Sequence, residues 1–189
     1  MYEGLFATIT NANFDKEVFV LRIRDAIALR EELKKKLAAK GKPIQLALPH
    51  CSTFMVQTEN QMLDVWTVSN FLSIENADIR ALRSLVIIGL KGMAAYLEHS
   101  VTLGKTDSAI IEFLERVLAA TTDDSLDAAA LTTLVLETGK FGVDAMALLD
   151  SANTGTYGNP EPTKVRLGVN VNPGILISGH DLKDLEELL

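Results

Sequence analysis

Phe19, Ile23, Ala26, Leu29, Leu33 and Leu37 recur at spacings of three and four residues, which places them on one face of a helix. Asp15 stands just ahead of that run, where a carboxylate can accept from the free N–H groups of a first turn. Gly41 and Pro43 predict the stop, close to Ala39. A second block opens at Asp78 and runs through Ile79, Leu82, Leu85, Val86, Gly89, Met93 and Tyr96 toward Leu103 and Gly104. Its interior glycines, Gly89 and Gly92, each cost about 1 kcal/mol against alanine in an exposed helix. The pattern therefore predicts a neighbouring element close enough to exclude a Cβ. A third pattern follows at Ile110, Phe113, Leu114, Val117 and Leu118, and a fourth begins after Asp127 and passes Leu131, Leu134 and Val135 to Met146 and Leu149. Joined by short turns, these three predict an antiparallel three-helix bundle over 77–152.

Leu5-Phe6-Ala7-Thr8-Ile9-Thr10 leads into Phe14-Asp15, and Val117-Leu118-Ala119-Ala120-Thr121-Thr122 leads into Leu126-Asp127, at a constant offset of 112 (Leu5 to Val117). Two helix ends, two caps and two following amphipathic helices coincide, so the chain carries a diverged repeat. Its second copy is complete. The first, over 1–40, holds its third helix and the tail of its second, which predicts a bundle partner ahead of Met1.

Between the copies, over 41–76, the periodicity dissolves around Pro43, Pro49, Trp66 and Phe71, and the segment reads as a partly packed connection. Over 153–189 the period changes again. Ala152 to Pro162 is dense in turn formers and reads as a loop. Val165-Arg166-Leu167-Gly168-Val169 alternates like an edge strand, and Gly174-Ile175-Leu176-Ile177-Ser178 resembles a buried parallel strand. Gly179-His180-Asp181 then turns into Leu182, Leu185, Leu188 and Leu189, a helix with Asp181 as its cap and Asp184 in its first turn. The expected fold is mainly α, with a short strand–helix start of a Rossmann-like α/β domain at its end.

Composition narrows the function classes. With 189 residues, 48% of them hydrophobic, the chain can bury a core. Its apolar runs, such as Leu85-Val86-Ile87-Ile88 running on to Gly89 and Leu90, are far short of the roughly 20 residues a bilayer span takes. No secretory signal follows Met1, and the expected setting is cytoplasmic. The formal charge is −7. The one basic cluster, Lys34-Lys35-Lys36 with Lys40 and Lys42, lies at a helix C-terminus, where cations face the negative end of the macrodipole. No nucleic-acid partner is expected.

Cys51 is the only cysteine, and one thiol holds neither a disulfide nor an iron–sulfur cluster. His50 beside it lacks the spaced partners of a zinc site. His180, by contrast, falls between the C-terminal end of a predicted buried strand and a helix N-terminus, the place where open α/β sheets bind ligands. It is the candidate functional residue; a turn histidine bonded to nearby backbone is the competing reading.

The run from Gly174 to Leu189, with Gly179-His180-Asp181 inside it, closely resembles the segment of the hybrid cluster (prismane) proteins, the hydroxylamine reductase family, whose histidine ligates an iron of the hybrid iron–sulfur–oxygen cluster. Asn153 to Thr163 looks like the family's preceding loop, and Leu5 to Asp15 and Gly89 to Tyr96 resemble its two helical bundles. The resemblance implies that His180 is a metal and cofactor ligand, and it assigns no catalytic residue to this chain. It implies a conventional iron–sulfur cluster ahead of Met1 and further cysteine and glutamate ligands beyond Leu189; Cys51 matches none of them.

By the same resemblance the longer protein is an oxidoreductase reducing hydroxylamine, with nitric oxide as a further substrate, using an electron donor. The 189 residues alone are expected to be inactive, to bind no cluster, and to form a homo-oligomer through apolar faces left without neighbours. The competing expectation is a free-standing helical module acting by protein–protein contact.

Overall fold

The computed structural model describes residues 1–9, 14–42, 48–56, 58–68, 73–179 and 181–189, with 64–68 described by backbone alone. Eight helices follow in order among them: α1 (Tyr2–Ala7), α2 (Lys16–Ala39), α3 (His50–Thr53), α4 (Glu59–Val68), α5 (Ala77–Thr102), α6 (Ser108–Ala120), α7 (Ala128–Tyr157) and α8 (Leu182–Leu188). The mainly helical architecture expected from periodicity is present.

The long helices begin where a side chain satisfies their first free N–H groups. Asp15 accepts from the amides of Glu17 and Val18, Asn76 from those of Asp78 and Ile79, Asp107 from Ala109, and Asp127 from Ala130. Asp15 and Asp127, the two caps related by the repeat, thus do the same work on α2 and α7.

The core is the α5–α6–α7 bundle. Val86, Leu90, Met93, Ala94 and Leu97 of α5 pack with Ile110, Phe113, Leu114 and Val117 of α6 and Ala145 of α7. Burying each of the larger of these side chains contributes about 1.5–3 kcal/mol. Gly89 lies beside Thr138 and Lys105 beside Ser151, so α5 and α7 run in the same direction. Phe113 stacks on Phe141 at 4.0 Å and Arg116 pairs with Glu137 at 3.2 Å, so α6 returns antiparallel to α7.

Polar ties close both ends of the bundle. Arg83, 5% exposed, donates to Asp124 Oδ1 at 2.9 Å and to the Asp123 carbonyl at 2.7 Å, and Lys105 donates to the Ser151 carbonyl at 2.5 Å. α1 packs on α5, with Tyr2 and Leu5 against the core.

In α2 the apolar face is uncovered. None of its residues is buried, and Leu29 and Leu33 are 55% and 50% exposed. In α7 the buried residues Leu131, Thr138, Ala145 and Ala152 recur every seven positions, and Thr138 of this stripe lies against Gly89 of α5. Shifted by the repeat offset of 112, Leu131, Thr138 and Ala145 fall on Phe19, Ala26 and Leu33 of α2. The same face therefore exists twice, buried in α7, whereas in α2 Phe19 is half-buried and Ala26 and Leu33 are exposed.

Among the described residues, α2 makes several polar contacts. Arg30 Nη1 donates to the Cys51 carbonyl at 2.9 Å, Lys34 Nζ to the Ser52 carbonyl at 2.6 Å, and Lys16 meets Glu59 at 2.5 Å. The basic cluster is partly neutralised on the helix itself, through Lys34 with Glu31 and Lys36 with Glu32.

Three expectations for the C-terminal part need correction. α7 does not end at Ala152 but continues to Tyr157, because Ala152 is buried in the bundle and Lys105 holds the Ser151 carbonyl; Gly158, at φ 85°, then stops it. No strand occurs among the described residues: 158–179 has neither helix nor strand, and Leu167 and Leu176 are each 96% exposed. A strand exists only through a ladder to a neighbour, and these alternating residues have none. Finally, α8 forms as expected, but Asp181 at its N-cap makes no side-chain cap bond. Among the described residues no helix is long and apolar enough to cross a membrane.

Candidate functional site

His180 lies outside the described residues, but both its neighbours are described. Gly179 has φ 155°, and Asp181 opens α8 at the mouth of a cleft of about 850 Å³ formed by α1, α5, α7 and α8. Phe6, Tyr96, His99, Asn153, Asp181 and Lys183 are among its walls. The Asp181 carboxylate faces α5, with Oδ1 3.5 Å from His99 Nδ1; the two side chains are 29% and 25% exposed. The Phe6 ring meets the His99 imidazole edge-on, with centroids 5.3 Å apart. Further along α8, the Tyr157 hydroxyl donates to Glu186 Oε2 at 3.3 Å, and Lys183 Nζ donates to the same oxygen at 3.1 Å.

A smaller pocket of about 350 Å³ adjoins it, lined by Glu3, Phe6, Ala7, Arg22 and Glu98. Glu98 Oε2 is buried there with no hydrogen-bond partner among the described residues. Burial first, and then the Glu3 carboxylate, hold the Glu98 carboxyl above its ordinary range, against His99, Arg22 and the Met1 amino group, which pull the other way.

Among the described residues no group of three or more His, Cys, Asp or Glu could hold a metal ion. Cys51 is exposed on α3 and is not part of the cleft wall. The His50 ring lies tilted by 43° beside Phe54, with centroids 5.5 Å apart, as a packed surface histidine does. The sequence pattern picked out His180 and Asp181 but not His99, Phe6 or Glu98, which reach the same corner from α5 and α1. Only one signal could have found His99: it is one of three histidines, placed in the last turn of a helix where an imidazolium complements the macrodipole.

The model of the Prismane/CO dehydrogenase family matches residues 1–189. The chain belongs to that family. Hydroxylamine reductase of Clostridium perfringens is 53% identical over 188 residues, covering 99% of this chain and 34% of that protein. Hydroxylamine reductase of Desulfitobacterium hafniense is 54% identical over 187 residues, again 99% of this chain and 34% of the relative. That of Thermoanaerobacter pseudethanolicus is 50% identical over 189 residues, 100% and 34%. This member of the Prismane/CO dehydrogenase family thus spans about a third of the length of the curated relatives it matches, and the match includes the whole of the cleft from α1 to α8.

Proposed function

We propose that this chain is the helical part of a hydroxylamine reductase, a longer cytoplasmic protein that cleaves the N–O bond of hydroxylamine reductively to ammonia and water, with nitric oxide as a further substrate. The observation that carries the reading is the near-complete match of the chain, at about half identity, to proteins named hydroxylamine reductase. In that reading His180 is an iron ligand of a hybrid iron–sulfur–oxygen cluster, and a conventional iron–sulfur cluster and an electron donor relay electrons to it.

The described residues alone do not fit a cluster, since no ligand set of three stands among them. When bound, the cluster would supply the electrons and an open coordination position. The chain's own contribution is a helical platform, α5 and α7, followed along the chain by the stretch that leads to His180. Along the chain, 1–40 and 77–152 serve as the two bundles, 41–76 as their connection, and 153–189 as the passage into the domain that completes the site.

The test is hydroxylamine-dependent oxidation of a reduced low-potential dye, run anaerobically on the 189-residue chain and on a longer protein carrying it. Activity is expected only from the longer protein; turnover by the 189 residues alone would overturn the reading. A second reading, a free-standing helical module that works by protein–protein contact, draws on the open apolar face of α2. A reading frame continuing past Leu189 into cysteine-bearing α/β sequence rules it out.

A further inference from the structure

α3 (His50–Thr53) is a single helical turn, and a turn that short keeps its shape only through partners outside it. α2 supplies them. Arg30 Nη1 donates to the Cys51 carbonyl at 2.9 Å and Lys34 Nζ to the Ser52 carbonyl at 2.6 Å, so two cations take up carbonyls that a helix C-terminus leaves free. Glu31 aims both of them. Its Oε1 accepts from Arg30 Nε at 2.8 Å and from Lys34 Nζ at 2.9 Å, and those bonds, Lys34 first and Arg30 second, hold its carboxyl below the ordinary range. One donor goes elsewhere. Arg30 Nη2 donates to the thioether sulfur of Met55 at 3.2 Å, and a thioether is a weak acceptor for a charged donor. That sulfur belongs to the most exposed of the five methionines: Met55 is 57% exposed, against 44% for Met146 and 2% for Met93. Arg30, with a side chain 20% exposed, is fixed by Glu31 and by the Cys51 carbonyl, so its Nη2 stays aimed at the position whatever the sulfur becomes.

We propose that Met55 is a site of reversible oxidation by peroxides, and that Arg30 grips the sulfoxide so formed and latches α3 to α2. The sulfur lone pair attacks one peroxide oxygen, and an S–O bond forms as the O–O bond breaks. The proton on the attacked oxygen passes to the departing one, so sulfur is oxidised by two electrons and hydrogen peroxide leaves as water. The product sets a polar oxygen in place of a weak acceptor, one bond from where Arg30 already points, and a charge-assisted bond to oxygen is the stronger one. Oxidation in a core disrupts packing; on this exposed sulfur it tightens a contact that exists before the reaction. Methionine sulfoxide reductase returns the thioether and loosens it again.

The experiment treats the Cys51→Ser form of the 189-residue chain, which keeps the carbonyl at 51 and removes the thiol's own reaction, with hydrogen peroxide. Sulfoxide is read by peptide mass spectrometry, and amide exchange is read at Ser52 and Phe54, which donate to the Pro49 and His50 carbonyls. Sulfoxide is expected at Met55 ahead of Met146, with Met93 last. Exchange at the two amides should then slow about threefold to tenfold, as for a partly exposed charge-assisted bond, and return to its starting rate after enzymatic reduction. Met55→Gln, whose side-chain amide carries an oxygen one bond beyond the same position, should show the slowed rate with no oxidant. Arg30→Leu should show no slowing on oxidation. Sulfoxide at Met146 before Met55, exchange unchanged or faster after oxidation, an unslowed Met55→Gln, or equal slowing in Arg30→Leu overturns the latch. Met55→Gln needs no peroxide and leaves α2 unaltered, so neither oxidation elsewhere nor a disturbed Arg30→Leu chain can hide the answer.

Discussion

Gly89 of α5 lies against Thr138 of α7 so closely that a Cβ on the glycine would stand 2.8 Å from Thr138 Cγ2. Thr138 cannot simply turn away, because it is 6% exposed and its hydroxyl bonds to the Leu134 carbonyl at 2.7 Å. Gly92, one turn further along α5, meets nothing within 4 Å. Both glycines interrupt the same helix, and only one is there for close packing. Gly89→Ala is therefore expected to lose about 1–3 kcal/mol in chemical denaturation, as overpacking does. Gly92→Ala is expected to gain up to about 1 kcal/mol from helix propensity. Adding Thr138→Ser, which removes Cγ2 and keeps the hydroxyl, should recover most of the Gly89→Ala loss. Equal effects at the two glycines would contradict the packing argument.

The open face of α2 predicts self-association. Leu29, Leu33 and Leu37 are 55%, 50% and 44% exposed on one stripe, and a contiguous apolar surface promotes contact between molecules. Light scattering of the 189-residue chain is expected to report a dimer or larger species, and Leu29→Glu with Leu33→Glu should shift it toward monomer. A monodisperse monomer of the unaltered chain would contradict this.

Glu98 gives the chain a specific pH dependence. Its folded carboxyl is held above the ordinary carboxylate range, first by burial and second by Glu3, against His99, Arg22 and the Met1 amino group. The native state thus keeps a proton that the unfolded chain has already released. Stability linked to this group is present below the ordinary carboxylate range and falls as pH rises through the raised value. Glu98→Gln should flatten that fall and, after discounting for solvent screening, stabilise the chain near neutrality by less than about 1 kcal/mol. Parallel stability–pH curves for the two proteins would refute it.

How much of this was legible in the sequence depends on the range of the interaction concerned. The caps at Asp15 and Asp127 are local, one side chain and the next turn, and they stand as the pattern predicts. Asp181 has the same residue type at the same position, yet it makes no side-chain cap bond and its carboxylate stands 3.5 Å from His99 Nδ1, 82 residues away; no local pattern contains that approach. The end of α7 misleads in a related way. Thr154, Gly155 and Thr156 each favour turns singly, but Ala152 is buried against the bundle and Lys105 grips the Ser151 carbonyl, so packing carries the helix past them. The alternation at 165–171 records a capacity to pair, while a strand needs a partner, and none stands among the described residues. The candidate ligand came from motif resemblance; Phe6 and His99, which line the cleft beside Asp181, emerged only when the helices were brought together.

The most direct test of the central claim, that this chain supplies a helical platform and a single ligand but not a cluster site, is the iron and acid-labile sulfide content of the 189-residue chain after anaerobic purification. The account predicts neither above background. Stoichiometric iron with sulfide would mean that these residues build a complete site by themselves or by sharing ligands between copies, and would contradict it.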